Sequence, residues 1–529
     1  MNFKYVDNIT NLYKDNHYLK NRDLSILEFQ LRIFDLVFLR ETPFMERLNF
    51  IKIICSNLEE FISVRLPDSD NYEIPKLIHT IEAIYEKLGE FLDQINRSNH
   101  VSLNTGFGPM YKIVKDKSFQ YIYAGEANKD MIREMKEVIK AKKEIGSFIL
   151  LHANCSKSII NRINPLYEIN VPVSILFINE YIEVYKSMCT KNDYYEKEIS
   201  KVETIEYYNE ISKKDMLIRT PYESYDHVLE FIDQMCVHPN IVAIFITLYR
   251  TAKDSKIIKS LLSAKASGKE VYVYIEPTAR DNEEENLQNI RALTNVGIHV
   301  NGNYYNYKVH SKLFCAVDKN GKVFSHIGTG NYNEKTSKLY TDFHLLTSNG
   351  NITQEALHIM MAIFRKDIYR TTKRHSKLYS SPLNLRSMII RLIDNEIKKG
   401  ENGEIRIKCN NLCDYAIIDK LYEAASHGVK VQIICRTGCS MVVKDNIEIR
   451  SKVGRYLEHD RFYIFGKNDE CVAYISSADL LLRNINKRLE VLCEIVDINN
   501  KEKIITTFDE IWNDKRIHIL QDDGRWRMG

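Results

Sequence analysis

No apolar run in this chain approaches the roughly 20 residues a membrane-spanning helix needs. The amino terminus, MNFKYVDNITNLYKDNHYLKNRDLS, lacks the apolar centre of a secretory signal. Both absences point to a cytoplasmic protein. An excess of charge of one sign is missing too: 74 Lys and Arg against 71 Asp and Glu leave a formal +3. No global field therefore marks a nucleic-acid binder, and any anion site must be built locally. Eleven cysteines, an odd number, fall mostly inside apolar segments such as VQIICR and EVLCEIV, which reads as reduced core thiols. Two C-x3-C pairs, Cys409/Cys413 and Cys435/Cys439, have no histidine pair after them, which weighs against zinc.

What is present is length and repetition. At 529 residues the chain outgrows a single core, so about three or four domains are expected. DSKIIKSLLSAKASGKEVYVYIE, from Asp254, matches DYAIIDKLYEAASHGVKVQIICR, from Asp414, without a gap. Each copy reads as an N-capping aspartate, an amphipathic helix, a glycine stop (Gly268, Gly428) and an apolar strand. An apolar strand also precedes each, IVAIFITLYR or EIRIKCNNL, giving a strand–helix–strand unit with a buried parallel sheet.

The repeat carries chemistry-bearing residues. In YKVHSKLFCAVD, alternation on one strand puts His310 and Lys312 on the same face. Alone, such a pair reads as a strand edge with a core histidine. The second copy repeats it, however, with His459 two residues before Arg461 in YLEHDRFYIF. Past each histidine lies a small-residue loop ending in a polar side chain, HIGTGNYN with Gly328, Gly330 and Asn331, and YISSADLLLRN with Ser476, Ser477 and Asp479. Small residues there let backbone N–H groups approach an anion.

This doubled pattern resembles the phospholipase D superfamily, in which two halves face one phosphorus. One neutral imidazole can attack phosphorus and carry it as phosphohistidine while the other protonates the leaving oxygen. Lys312 and Arg461 then hold the oxygens whose charge develops. The first copy, with His310, Lys312 and Asn331, is the better nucleophile candidate. Asp318 falls one place past the superfamily's usual acidic position and is given no catalytic role.

Longer stretches, TLYRTAKDS, ARDNEEEN, HIGTGNYNEKTSKLYTDFHLLT, KDNIEIRSKVGRYLEHDRFYIF, YISSADLLLRNINKRLEVL and the amino-terminal NRDLSILEFQLRIF and ERLNFIKIICSNLEEFISVR, are similar to the polyphosphate kinase family. The resemblance covers the C-terminal half almost continuously and the first 66 residues well, but 67 to 214 poorly. It implies a reversible ATP:polyphosphate phosphotransferase, with ATP/ADP and inorganic polyphosphate as partners and Mg2+ as cofactor. It implies no nucleic acid, and it allows a peripheral membrane association and a homo-oligomer. His310 matches the phosphorylated histidine and His459 its partner in the nucleotide site. Asn57, Tyr340 and Arg436 match ATP-binding positions, and Arg250 and Arg280 match positions linked to magnesium. A guanidinium has no lone pair for a cation, so Arg250 and Arg280 read as phosphate clamps beside a metal held by phosphate oxygens and water. Thr437 replaces the glycine usual after the nucleotide arginine.

The expected fold is α/β multidomain. A helical N-terminal domain occupies 1–100 and a small, shortened α+β middle domain 101–214. Two tandem phospholipase D-like α/β domains follow, 215–376 and 377–529. The shortened middle domain leaves the oligomeric state open. Rival readings are a phosphodiesterase or phosphatidyl transferase on the same scaffold and a non-catalytic polyphosphate-binding protein.

Overall fold

The helical spacing near the amino terminus forms α1 (Arg22–Phe38), α2 (Phe44–Glu60) and α3 (Ile74–Ser98). α1 begins where the Asn21 side chain accepts from the amides of Asp23 and Leu24, satisfying donors the first turn would leave orphaned. α3 buries Leu77, Ile81, Ile84, Leu88 and Leu92 along one stripe. A four-stranded sheet follows in the order β2-β1-β3-β4, from β1 (Met110–Lys115), β2 (Ser118–Tyr123), β3 (Phe148–Leu151) and β4 (Tyr167–Asn170). The structure is a computed structural model that describes residues 20–66, 69, 73–99, 110–115, 118–123, 148–151, 167–195, 205–249, 255–276, 283–302, 307–367 and 377–529. Arg250, Arg280 and Asp254 lie outside them. The elements above belong to the first of two compact units, Met1–Lys197; Glu198–Gly529 is the second. Among the described residues no helix is long and apolar enough to cross a membrane.

The second unit is built twice over. The first repeat runs β5 (Met216–Thr220), β6 (Ile241–Leu248), β7 (Glu270–Ile275), β8 (His299–Asn301), β9 (Lys308–Val309), β10 (Lys312–Asp318), β11 (Val323–Gly328) and β12 (Tyr340–Thr347). The second runs β13 (Leu378–Ser380), β14 (Glu404–Leu412), β15 (Lys430–Cys439), β16 (Ile447–Ser451), β17 (Leu457–Glu458), β18 (Phe462–Phe465), β19 (Val472–Ser476), β20 (Arg488–Leu489) and β21 (Val491–Ile495). β6-β7-β8 and β14-β15-β16 are parallel runs. β10 and β18 instead pair antiparallel with β6 and β14, and the strands beyond them continue antiparallel. The sheets are thus mixed, not wholly parallel as the repeat alone suggested. β10–β11 and β18–β19 are joined by short turns, which return the chain antiparallel without a crossover helix.

The helices after β6 and β14, Lys256–Ala266 and Tyr415–Ser426, stop before Gly268 and Gly428, at φ +82° and +86°, where a side chain would be strained. Asp414 caps the second helix, its carboxylate accepting from Ile417 N, but Ser255 holds the equivalent position in the first. β10 is buried on both faces. Leu313 and Cys315 join a core that draws Phe343, Phe462, Cys493 and Phe508 from both repeats, while Phe314 and Ala316 join one confined to the first. The described cysteines are free thiols, all buried except Cys189.

Two pairings cross between the repeats. β17 adds in parallel to the start of β12, with Tyr340 opposite Leu457 and Thr341 opposite Glu458. β20 pairs in parallel with β9, with Arg488 opposite Lys308 and Leu489 opposite Val309. Each histidine-bearing segment is therefore preceded by a short strand that pairs with a strand of the other repeat.

Candidate active site

His310 does not continue an alternating strand; the ladder breaks there, between β9 and β10. The amides of His310 and Ser311 both donate to Leu489 O at 2.9 Å, so the second repeat fixes the bend. Directly after Leu489 comes Glu490, fully buried, with both carboxylate oxygens 2.9 Å from His310 Nδ1. The mirror arrangement holds His459. Its amide donates to Thr341 Oγ1 at 3.1 Å, and its Nδ1 lies 2.8 and 3.1 Å from the oxygens of Asp342, the residue after Thr341. Each imidazole is thus oriented by a carboxylate from the opposite repeat. Because an ionised carboxylate only accepts, Nδ1 carries the proton and the Nε2 lone pair is left for chemistry.

A cation lies beside each ring. Arg461 Nη1 lies 3.2 Å from Nε2 of His459, whereas Lys312 Nζ lies over the edge of the His310 ring, 3.1 Å from Nε2 and 3.0 Å from Nδ1. Arg461 is anchored in turn by Asp479, through contacts of 3.0 and 3.3 Å. Asp479 also accepts from the amides of Asn410 and Asn411, tying the loop after β19 to β14. The side chains of His310 and His459 keep 12% and 15% exposure, enough of an opening for a ligand atom.

The two centres differ electrostatically. Burial, then Lys312, Arg488, Arg461 and His459, hold His310 far below the usual histidine range, so it is neutral near pH 7. Burial lifts the Glu490 carboxyl against the pull of Lys312 and Arg488. Burial also depresses the Lys312 ammonium to about 7. At the other centre burial would raise Asp342, but His459 reverses this and holds it at about 2. Burial lowers His459 as well, opposed by Asp342. One centre thus holds an imidazole kept neutral, the other an imidazole paired with an ionised carboxylate.

Among the other residues singled out from sequence, the Tyr340 ring lies 5.4 Å from that of His459, and Arg436 Nη1 donates to Glu458 O at 2.8 Å. Asn331 Oδ1 is buried and makes no hydrogen bond, although it follows the loop that touches Asp342. Asn57 lies in α2 of the first unit, where its amide donates to Gln30 Oε1 at 3.0 Å. Sequence reasoning missed Asp342 and Glu490. The signal was there: each is an acid near the head of an apolar strand, YTDFHLL or RLEVLCE, at nearly the same distance past its repeat's histidine.

The loop glycines serve the protein's own side chains. A Cβ on Gly330 would lie 2.1 Å from Asp342 Oδ2, and one on Gly328 would lie 2.9 Å from the His326 ring. Gly330→Ala is therefore expected to push Asp342 off His459. It should cost about 1–3 kcal/mol of stability by overpacking and lower activity far more than that loss explains, as read by urea unfolding alongside turnover.

The sequence model described as Polyphosphate kinase C-terminal domain 1 matches residues 206–369, C-terminal domain 2 matches 378–529, and the N-terminal domain matches 19–108. The chain is 31% identical over 507 residues to a polyphosphate kinase of Staphylococcus epidermidis, covering 89% of this chain and 68% of that one. It is 40% identical over 318 residues to that of Escherichia coli K12, covering 58% of this chain and 46% of the relative. The chain thus spans about half the length of the first curated relatives it matches. The fold is similar to a crystal structure of polyphosphate kinase from Porphyromonas gingivalis, with a TM-score of 0.75 at 21% identity, covering 97% of this chain and 96% of the other. With three matching domains in order and a relative aligned over most of both lengths, this chain belongs to the polyphosphate kinase family.

Proposed function

We propose that this chain transfers the terminal phosphoryl group of ATP to inorganic polyphosphate through a phosphohistidine at His310, and that the reaction runs in both directions. The observation that carries this reading is the exchanged pair of carboxylates, Glu490 on His310 and Asp342 on His459. Nε2 of His310 attacks the terminal phosphorus. The P–N bond forms as the bond to the bridging oxygen breaks, and ADP leaves with that electron pair. A terminal oxygen of polyphosphate then attacks the phosphohistidine and returns the imidazole. His459, entering the first step protonated on both nitrogens with Asp342 supporting the charge, gives its Nε2 proton to the departing oxygen, and the Nε2 lone pair left behind accepts one in the second. Lys312 and Arg461 hold the equatorial oxygens. Tyr340 and Arg436 are assigned to the nucleotide, and Asn331, through its unpaired oxygen, to a donor on the substrate side.

Arg250 and Arg280 are assigned to phosphate. Among the described residues, no three His, Cys, Asp or Glu side chains group to ligate a metal. That donor set suits magnesium entering as the counter-ion of ATP, held by phosphate oxygens and water. The test is to incubate the protein with Mg–ATP labelled at the terminal phosphate and recover long phosphate polymer. With polyphosphate and ADP the protein should make ATP. Failure in both directions overturns the reading.

Lys312 gives a pH-dependent prediction. Its ammonium titrates at about 7, so above that pH it is mostly neutral in the free site. A triphosphate beside it favours the charged form, so nucleotide binding at pH 8 should take up protons, approaching about one per ATP. Calorimetry in buffers of different ionisation enthalpy reads this directly. The buffer dependence should collapse in Lys312→Met.

A further inference from the structure

The segment that carries His459, between β17 and β18, has a second side. His459 and Arg461 meet at the site, while Glu458 and Asp460 are buried in the protein, 5% and 0% exposed. Two buried acids two residues apart repel each other and lose their hydration, which is costly unless a cation is supplied. Lys408 of β14, itself 1% exposed, is that cation. Its Nζ lies 2.9 Å from Glu458 Oε2, in short contact with Asp460 Oδ1 and 3.4 Å from Asp460 O. Thr341 Oγ1 donates to Asp460 Oδ1 at 2.7 Å, and Arg219 of β5 approaches the other oxygen at 4.0 Å. Asp460 Oδ2 makes no hydrogen bond, so Lys408 and Thr341 are what tether this carboxylate.

The backbone around His459 is held almost entirely by side chains. Arg436 grips the carbonyl of Glu458, and Asn410 and Arg461 grip that of His459 at 3.1 and 2.8 Å. Thr341 accepts from the His459 amide. With no continuous ladder through this residue, the ring's aim depends on the anchors at either side, and both anchors end on one ammonium.

We propose that Lys408 is a positioning residue: by drawing Glu458 and Asp460 together beneath the segment, it holds the His459 imidazole against Asp342. The functional consequence rests on the reading of His459 as the acid–base partner, but the positioning itself can be tested without turnover. The charged groups facing His459 are Asp342, Arg461 and Arg436, with His310 across the site. Two effects of Lys408→Met on the histidine pKa then have opposite signs. Simply removing a nearby positive charge would raise it, whereas loss of the Asp342 contact would lower it.

The experiment measures carbethoxylation of His459 by diethyl pyrocarbonate across pH, read by peptide mass spectrometry. Only the neutral imidazole reacts, so the profile yields its pKa. Lys408→Met should lower this value by about one unit, in the same direction as Asp342→Asn, with the His310 profile as internal control. A rise or no change overturns the proposal. Should Lys408→Met fail to fold, Lys408→Gln, which removes the same positive charge but keeps a polar side chain between the two acids, reads the same quantity with the same expected sign. In turnover, Lys408→Met should lower kcat at least about tenfold while leaving the KM for ATP within about twofold. A wild-type protein without polyphosphate synthesis would sink the functional reading and leave the carbethoxylation result standing.

Discussion

His310→Ala is expected to abolish both the protein-bound phosphoryl group and polymer formation, a loss on the order of 10^4–10^6-fold for a covalent nucleophile. The wild type, incubated with Mg–ATP labelled at the terminal phosphate, should carry label that is acid-labile and alkali-stable. Burial, with Lys312, Arg488 and Arg461, holds His310 below the usual histidine range and so favours the neutral ring that a nucleophile needs. Its Nδ1 is held by Glu490, so the lone pair faces outward on Nε2, beside Lys312. His459→Ala keeps that nucleophile and should keep part of the labelling while impairing onward transfer. Label that survives in His310→Ala would refute the assignment.

Exchanging either carboxylate for its amide should be nearly as damaging, with a loss of about a hundredfold to ten-thousandfold in kcat. In Glu490→Gln the side-chain NH2 can donate to His310 Nδ1, which moves the ring proton to Nε2 and hides the lone pair from phosphorus. The amide also removes the acid that Lys312 is drawn toward. Labelling itself should therefore fail. Asp342→Asn does the same to His459, but there the label should still form in a single turnover and then discharge slowly to polyphosphate. The order matters: if both variants blocked labelling equally, the division of roles between the histidines would be wrong. Asp342 is held at about 2 by His459, so it stays ionised throughout the working range and the acidic limb of a pH–rate profile should not report it.

Much of this site was legible in one dimension because it is written twice. A histidine, a cation two residues on and a small-residue loop recur in register, and the structure gathers His310, Lys312, His459 and Arg461 around shared charges. The helices with their glycine stops were legible too, because helical period and left-handed backbone are local properties. Reading YKVHSKLF as one alternating strand misplaced the bend, since the break at His310 is imposed by Leu489 O from the other repeat. The loop glycines looked like an anion nest, yet Gly330 leaves room for Asp342, which pattern alone could not show.

By itself, the sequence determined the duplicated α/β architecture, the membership of the family and the recurrence of a histidine with a cation two residues on, because each rests on local periodicity or on repetition within the chain. Only the tertiary structure decided which acid orients which histidine. Glu490 and Asp342 stand 180 and 117 residues from their partners. They reach them through two short parallel pairings between repeats, and such contacts are selected by the packing of one shared core rather than by any run of neighbouring residues.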